Sequence, residues 1–320
     1  VEREYGFELG LCATLERETE WVLARQLGGA VADPGQRVVD VVGVAPGPAF
    51  ADRARITAST IPPAAIEADL GVGRARSPKT AFDCHPGRRA DVVADAVDCG
   101  FLVREPDDTQ PRVRQTTRYP DEWVGELVAV ENKPDLDRPG DLREQLRLDA
   151  SLALFDRVVL ATATHVTGAH RNRIPDPVGI WRFDSETGER RVVRPAERLP
   201  TDEPGIEPRA YRDGRTEVAV VSPASKRRQR RRVAERAYGK GWRPDAYPAC
   251  ARCAPTDDGR PWCDAYGRVV DPASDCGPDC PHYDSASPPR VDTERLRDAR
   301  TPWERSPEGT VDRQVGLDQF

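Results

Sequence analysis

The stretch Leu127–Leu136, "LVAVENKPDL", decides how this chain is read. Four apolar residues, Leu127 to Val130, form a short run of the kind found in buried strands. The run ends in Glu131-Asn132-Lys133, and Pro134 stops it. Side chains alternate along a strand, so Glu131 and Lys133 share a face and Asn132 takes the other. A carboxylate placed there can hold a divalent cation. An ammonium beside it can orient or deprotonate the water that attacks a phosphodiester. The bland alternative is a surface Glu–Lys pair, which is usually worth little. The choice of lysine weighs against it. Only four lysines (Lys79, Lys133, Lys226, Lys240) occur among 48 basic residues. A lysine where arginine is the rule points to a need for a compact point charge.

A metal shell needs a second carboxylate. "QRVVDVVGVAPG", residues 36–47, reads as a buried strand with Asp40 in its middle. A lone charge there is costly unless it binds something. Asp121, in Pro120-Asp121 just before the 122–136 strand, is the alternative, in a more polar setting. Downstream, residues 139–156 read as a helix, with Asp141 and Glu144 spaced as a capping box. Residues 157–166 form a second buried strand, and residues 178–195 a hairpin turning at Glu186-Thr187-Gly188. Upstream, Phe7, Leu11, Leu15 and Val22 keep near-helical spacing and predict one amphipathic helix over residues 4–27. Taken together, the elements predict an α/β sheet with a right-handed crossover through the 139–156 helix.

The order helix, Asp-bearing strand, Glu-x-Lys strand, helix, strand resembles the PD-(D/E)xK nuclease superfamily. It also resembles a haloarchaeal family sharing the "VENKPDL…GDLREQLRLDASLALFD" core. The resemblance spans roughly residues 4–195 and implies a restriction-endonuclease-like mixed sheet flanked by helices. It implies Asp40 and Glu131 as ligands of Mg2+ or Mn2+, with the Asn132 carbonyl as a third. It implies Lys133 as the water-positioning residue, Gln145 as its support and Glu8 as an auxiliary acid.

The implied core is residues 1–50 and 119–200. Residues 51–118 interrupt it with two short helical patterns and a strand pair. That pattern resembles a winged helix-turn-helix; a generic small α/β insertion is the alternative. Residues 201–225 are polar and Pro-containing and read as a linker. Residues 226–285 form a basic, Cys-rich module, and 286–320 a polar tail expected to be partly disordered. Six of the seven residues 226–232 are basic: Lys226, Arg227, Arg228, Arg230, Arg231 and Arg232. A solvated face is the plain explanation, and phosphate contact to DNA, or to RNA, the sharper one.

Cys250-x-x-Cys253, Cys263, Cys276 and Cys280 supply five candidate metal ligands in about thirty residues. His282 is a substitute ligand. Zn2+ is the expected ion, and an iron–sulfur cluster, which some members of the superfamily carry, is the rival. Charged residues make up 32% of the 320, the net charge is -6 and methionine is absent. Abundant Asp and Glu with scarce lysine matches a halophilic cytoplasmic protein. No apolar run reaches the ~18 residues of a membrane span, and residues 1–20 are charged throughout, so a soluble intracellular chain is expected. Cysteines in that compartment favour metal ligation over disulfides. The expected function is therefore a Mg2+-dependent nuclease. A DNA-binding regulator or repair accessory on an inactive nuclease fold, and a purely structural metal-binding protein, stand as alternatives. No Gly-rich phosphate loop, nucleophile elbow or HExxH motif is present.

Overall fold

A computed structural model describes residues 4–33, 35–105, 111–138, 140–212 and 214–308. The chain opens with helix α1 (Glu4–Glu18), then strands β1 (Val22–Gly28) and β2 (Val38–Pro46). The single helix expected over residues 4–27 is thus a helix followed by a strand. The Thr19 hydroxyl donates to the Leu15 carbonyl and accepts from the Trp21 N–H, which closes the helix. Beyond that point Val22 and Ala24 face one core and Leu23 the other, a period of two. Val22 fitted the helical spacing of Leu15 only by coincidence.

The interrupting segment carries α2 (Phe50–Ala54), α3 (Pro63–Ile66), α4 (Pro78–Ala81), α5 (Pro86–Asp98), and the ribbon β3 (Leu102–Glu105) with β4 (Arg112–Gln115). The expected helices and ribbon are present, with Pro at the start of α3 and α5. The segment is not a separate body: Ile61, Ala65, Val93, Phe101 and Val113 share one core with Val22 and Leu127. β5 (Val124–Asn132) then returns to the sheet, followed by α6 (Leu142–Leu152), β6 (Arg157–Thr162), α7 (Gly168–Arg171), β7 (Gly179–Phe183) and β8 (Arg190–Arg194). Asp141 does not cap α6 through its side chain; its backbone carbonyl accepts from Glu144 and Gln145 instead.

The sheet has the order β1-β2-β5-β6-β7-β8. β1, β2 and β5 run antiparallel, β5–β6 and β6–β7 parallel, and β7–β8 is a hairpin. α1 lies on one face, where Phe7, Leu11 and Leu15 meet Val128 and Val130. α6 lies on the other, where Leu142 and Leu146 meet Leu127 and Ala129. The architecture is a mixed α/β fold with a multistranded sheet between helices.

Residues 201–225 are not a linker. They contain the hairpin β9 (Gly205–Arg212) and β10 (Arg215–Val221). Fully buried Glu207 pins it by accepting from the N–H groups of Val31, Ala32 and Asp33. The basic run opens helix α8 (Pro223–Lys240), whose Val233, Ala234, Ala237 and Tyr238 enter the main core. A small sheet follows, β11 (Cys253–Pro255), β12 (Pro261–Cys263) and β13 (Arg268–Val269), with Val269 packed against the α1 layer. The tail expected to be partly disordered carries structure within residues 286–308. Helix α9 (Thr293–Arg300) and buried Trp303, whose indole N–H donates to Ala58, dock on the body; residues 309–320 lie outside the described residues. No helix among the described residues is long and apolar enough to cross a membrane.

Candidate active site

β2 and β5 pair with Val41 opposite Val130, so one step further sets Asp40 beside Glu131. The backbone N–H of Asn132 donates to Asp40 Oδ2 at 2.8 Å. α1 brings Glu8 to the same end of the sheet, and α6 brings Gln145. The result is one cleft of about 630 Å3 lined by Glu8, Asp40, Glu131, Lys133 and Gln145, together with Glu4, Tyr5, Arg25, Gln26, Asn132, Asp141, Leu142 and Asp271. The five residues expected in the site from sequence are thus all among those that line this cleft. Asp121 does not belong to it: it pairs with Arg231 at 2.9 Å, mostly exposed. Between the two acids, only Asp40 lines the cleft.

Two features differ from the simple alternation of Glu131 and Lys133. Glu131 follows Leu127 and Ala129 toward α6, where Arg37 Nη2 donates to its Oε2 at 2.6 Å. The same guanidinium holds Asp149 of α6 at 2.7 Å, and Arg37 and Asp149 are 2% and 1% exposed. Lys133, just past the end of β5, finds its ion-pair partner in Glu4 of α1 at 3.8 Å. Its backbone N–H continues the parallel ladder onto Ala161.

The carboxyl groups are held with raised proton affinity. Burial pushes Glu131 up to about 8, with Arg37 pulling down and Asp40 adding to the rise. Burial also raises Asp40, against the Asn132 hydrogen bond and Arg37. Glu8 is raised by burial, against the Arg25 guanidinium that donates to it. Asn132 is 1% exposed, and neither its Oδ1 nor its Nδ2 finds a partner. A buried amide left without hydrogen bonds is costly, and it lines the cleft at the carboxylates. Sequence reasoning missed Arg25, Gln26, Arg37 and Asp149. Arg37 alone left a trace, as a charge just before a strand whose other charge is Asp40.

The basic run fares differently from expectation. Lys226 is fully buried, its ammonium donating to the carbonyls of Pro200 and Glu203. Arg230 pairs with Asp156, Arg231 with Asp121 and Arg232 with Glu67. These four stitch α8 to the body because the helix lies on the sheet rather than standing free. Arg227 and Arg228 remain exposed.

In the Cys-rich segment all five thiols are free. Cys253 faces Cys263 across β11–β12, and Cys250 Sγ accepts from the N–H groups of Arg252 at 3.4 Å and Asp284 at 3.5 Å. Burial, then the sulfurs of Cys276, Cys263 and Cys250, push the Cys253 thiol up to about 12. Cys280 turns to the Tyr266 hydroxyl, and His282 packs edge-on against Tyr266. Among the described residues no three His, Cys, Asp or Glu side chains already stand as a ligand set, here or in the cleft. In the cleft, protein donors bond Glu8 Oε1, Asp40 Oδ2 and Glu131 Oε2.

Comparison with curated proteins finds no match, and comparison with solved structures finds none either. A family model does match, over residues 22–285, from β1 through the Cys-rich segment. The chain belongs to that family, DUF5787, a family of unknown function.

Proposed function

We propose that the protein is a nuclease, hydrolysing phosphodiester bonds with Mg2+ or Mn2+ in the cleft of Asp40 and Glu131. One observation carries this: Glu8, Asp40, Glu131, Lys133 and Gln145, scattered over the first half of the chain, line a single cleft. The order of α1, β1, β2, β5, α6 and β6 supports the PD-(D/E)xK likeness. The donor set is hard oxygen, which suits Mg2+ or Mn2+ rather than softer ions. Asp40, the outer oxygen of Glu131 and the Asn132 carbonyl would hold the ion. Bound there, it would lower the pKa of a water and offset phosphate charge. Lys133 directs that water, Gln145 supports Lys133 or the substrate, and Glu8 completes the acidic side. Arg37 fixes the Glu131 carboxylate from behind through Oε2. Phosphate contacts outside the cleft fall to Arg227 and Arg228, which are exposed and form no ion pair with a carboxylate among the described residues.

The test is cleavage of single-stranded, duplex and branched DNA in high salt with Mg2+ or Mn2+, comparing the intact protein with Lys133→Ala. Cleavage by the first and loss of at least about 100-fold in the second is expected. Equal activity in both, or none in either, sinks the proposal. One observation favours a second possibility, a DNA-binding protein on an inactive nuclease fold: Arg25 and Arg37 already neutralise Glu8 and Glu131. DNA binding without cleavage would select it.

The thiols of Cys250, Cys253, Cys263, Cys276 and Cys280 are the proposed ligands of a structural Zn2+, supported by the C-x-x-C spacing and by the facing of Cys253 and Cys263 across β11–β12. Elemental analysis of the purified protein distinguishes zinc from iron, and the absence of both removes this part of the proposal.

A further inference from the structure

Gln26 is the one cleft residue with a left-handed backbone, φ +54°. Such a backbone is unusual for a non-glycine residue and persists only where its surroundings impose it. It falls in the β1–β2 ladder between Arg25↔Val41 and Leu27↔Val39, where its own pairing is missing. The turn changes what β1 presents. In a regular strand Arg25 and Gln26 would point to opposite faces. Here Ala24 and Leu27, three residues apart, both enter the core shared with α6, while Arg25 and Gln26 both reach Glu8 on the α1 side. The bend is held from outside: Lys240, at the end of α8, donates to the carbonyls of Arg25 at 2.6 Å and Gln26 at 3.3 Å.

The Gln26 amide nitrogen donates to Glu8 Oε2 at 3.2 Å and to Asp40 Oδ1 at 3.3 Å. It therefore joins a carboxylate on α1 to one on β2. Asp40 lies close enough to Glu8 to raise its proton affinity, so the two acids repel each other where the amide joins them. A neutral amide between them fixes their spacing and adds no charge beyond that of Arg25, which already pairs with Glu8.

We propose that Gln26 is a positioning residue, holding Glu8 and Asp40 in the spacing that admits the divalent cation, and that the strained backbone exists to aim its amide there. The proposal rests on the cleft being a cation site, and deepens it. An amide that spaces two acids is worth most before the cation arrives, so its loss should appear as weaker cation binding rather than as a slower chemical step.

The experiment titrates Mn2+ into the full-length protein by calorimetry and into the variants Gln26→Gly and Gln26→Asn, with thermal unfolding of each. Glycine suits the left-handed backbone, so Gln26→Gly should melt at or above the parent temperature. Its Mn2+ affinity should fall by about 10-fold or more, the usual consequence of losing a group that orients a ligand. Cleavage should recover as Mn2+ is raised, with kcat near the parent value. Asparagine tolerates the backbone but is too short to span both acids, and should show the same loss; it also decides the case if the glycine variant folds poorly. Unchanged Mn2+ affinity in both variants overturns the proposal. So does a loss that merely follows a fall in melting temperature, since that marks a structural residue. If the parent protein binds no Mn2+, the failure lies with the cation site itself, and Gln26 then has nothing to position.

Discussion

Arg37 and Lys133 show how differently two cations can serve one cleft. Arg37 sits between Glu131 and Asp149, with all three side chains nearly inaccessible. Removing one member of a buried ionic group leaves the others uncompensated, at a cost of about 3–5 kcal/mol. Arg37→Met should therefore lower unfolding stability by that amount in urea titration; a change below about 1 kcal/mol would mean the acids protonate and pack without it. Lys133 makes one long ion pair with Glu4, itself mostly exposed. Lys133→Ala should shift stability by no more than about 0.5 kcal/mol. The two substitutions thus separate fold from chemistry: circular dichroism should find Lys133→Ala native while cleavage is lost.

At the scale of elements, α8 is the member whose surroundings matter most. Its Glu235 is fully buried, accepts from Arg53 at 2.7 and 2.6 Å and from the Tyr119 hydroxyl at 2.7 Å, and so ties the helix to the interrupting segment. Arg53 in turn lies over the Tyr238 ring at 4.1 Å. Glu235→Ala strands a buried guanidinium and should cost about 3–5 kcal/mol. Gly239 makes the same junction by close approach: a Cβ there would lie 1.9 Å from Thr60 Oγ1 and 2.7 Å from its backbone nitrogen. Gly239→Ala should lower the melting temperature measurably, because backbone cannot yield as a side chain can; an unchanged melting curve would show that the junction gives way freely. The arginines of the same helix divide by exposure. Replacing Arg227 and Arg228 with alanine should weaken DNA binding and reduce the salt slope by about one per residue. Lys226→Ala should instead lower stability, since its buried ammonium closes the carbonyls of Pro200 and Glu203. Equal effects of all three on the salt slope would contradict this division.

For the whole molecule, the core decides what can be removed. Residues of β1, β5, α6, the interrupting segment and α8 meet in one cluster, and Trp242 and Val269 complete the layer against α1. A chain ending at residue 222 loses Val233, Ala234, Ala237 and Tyr238 and should not fold, as judged by far- and near-ultraviolet circular dichroism; a folded truncated chain would mean that the 1–222 body has a core of its own. The sequence was enough to place β2, β5, α6 and the β7–β8 hairpin, and to name Glu8, Asp40, Glu131, Lys133 and Gln145 as neighbours. The signals for Asp40, Glu131 and Lys133 are local: a run of β-branched residues, a charge inside it, a rare lysine at a strand end; Glu8 and Gln145 came only as what the family resemblance implies. The sequence alone did not reveal that residues 22–28 form a strand, because a helix and a strand can share apolar positions over a short span. Nor did it reveal that the supposed linker pairs into a hairpin, or that four of the six basic residues of the run are spent on contacts within the protein. Those outcomes depend on partners far along the chain: Glu207 for the loop at 31–33, Asp156 for Arg230, Asp121 for Arg231. Composition and period determined which residues were worth bringing together. Only tertiary packing decided which charges face the cleft and which are neutralised within, because burial and the nearest opposite charge set that, and neither is written in neighbouring residues.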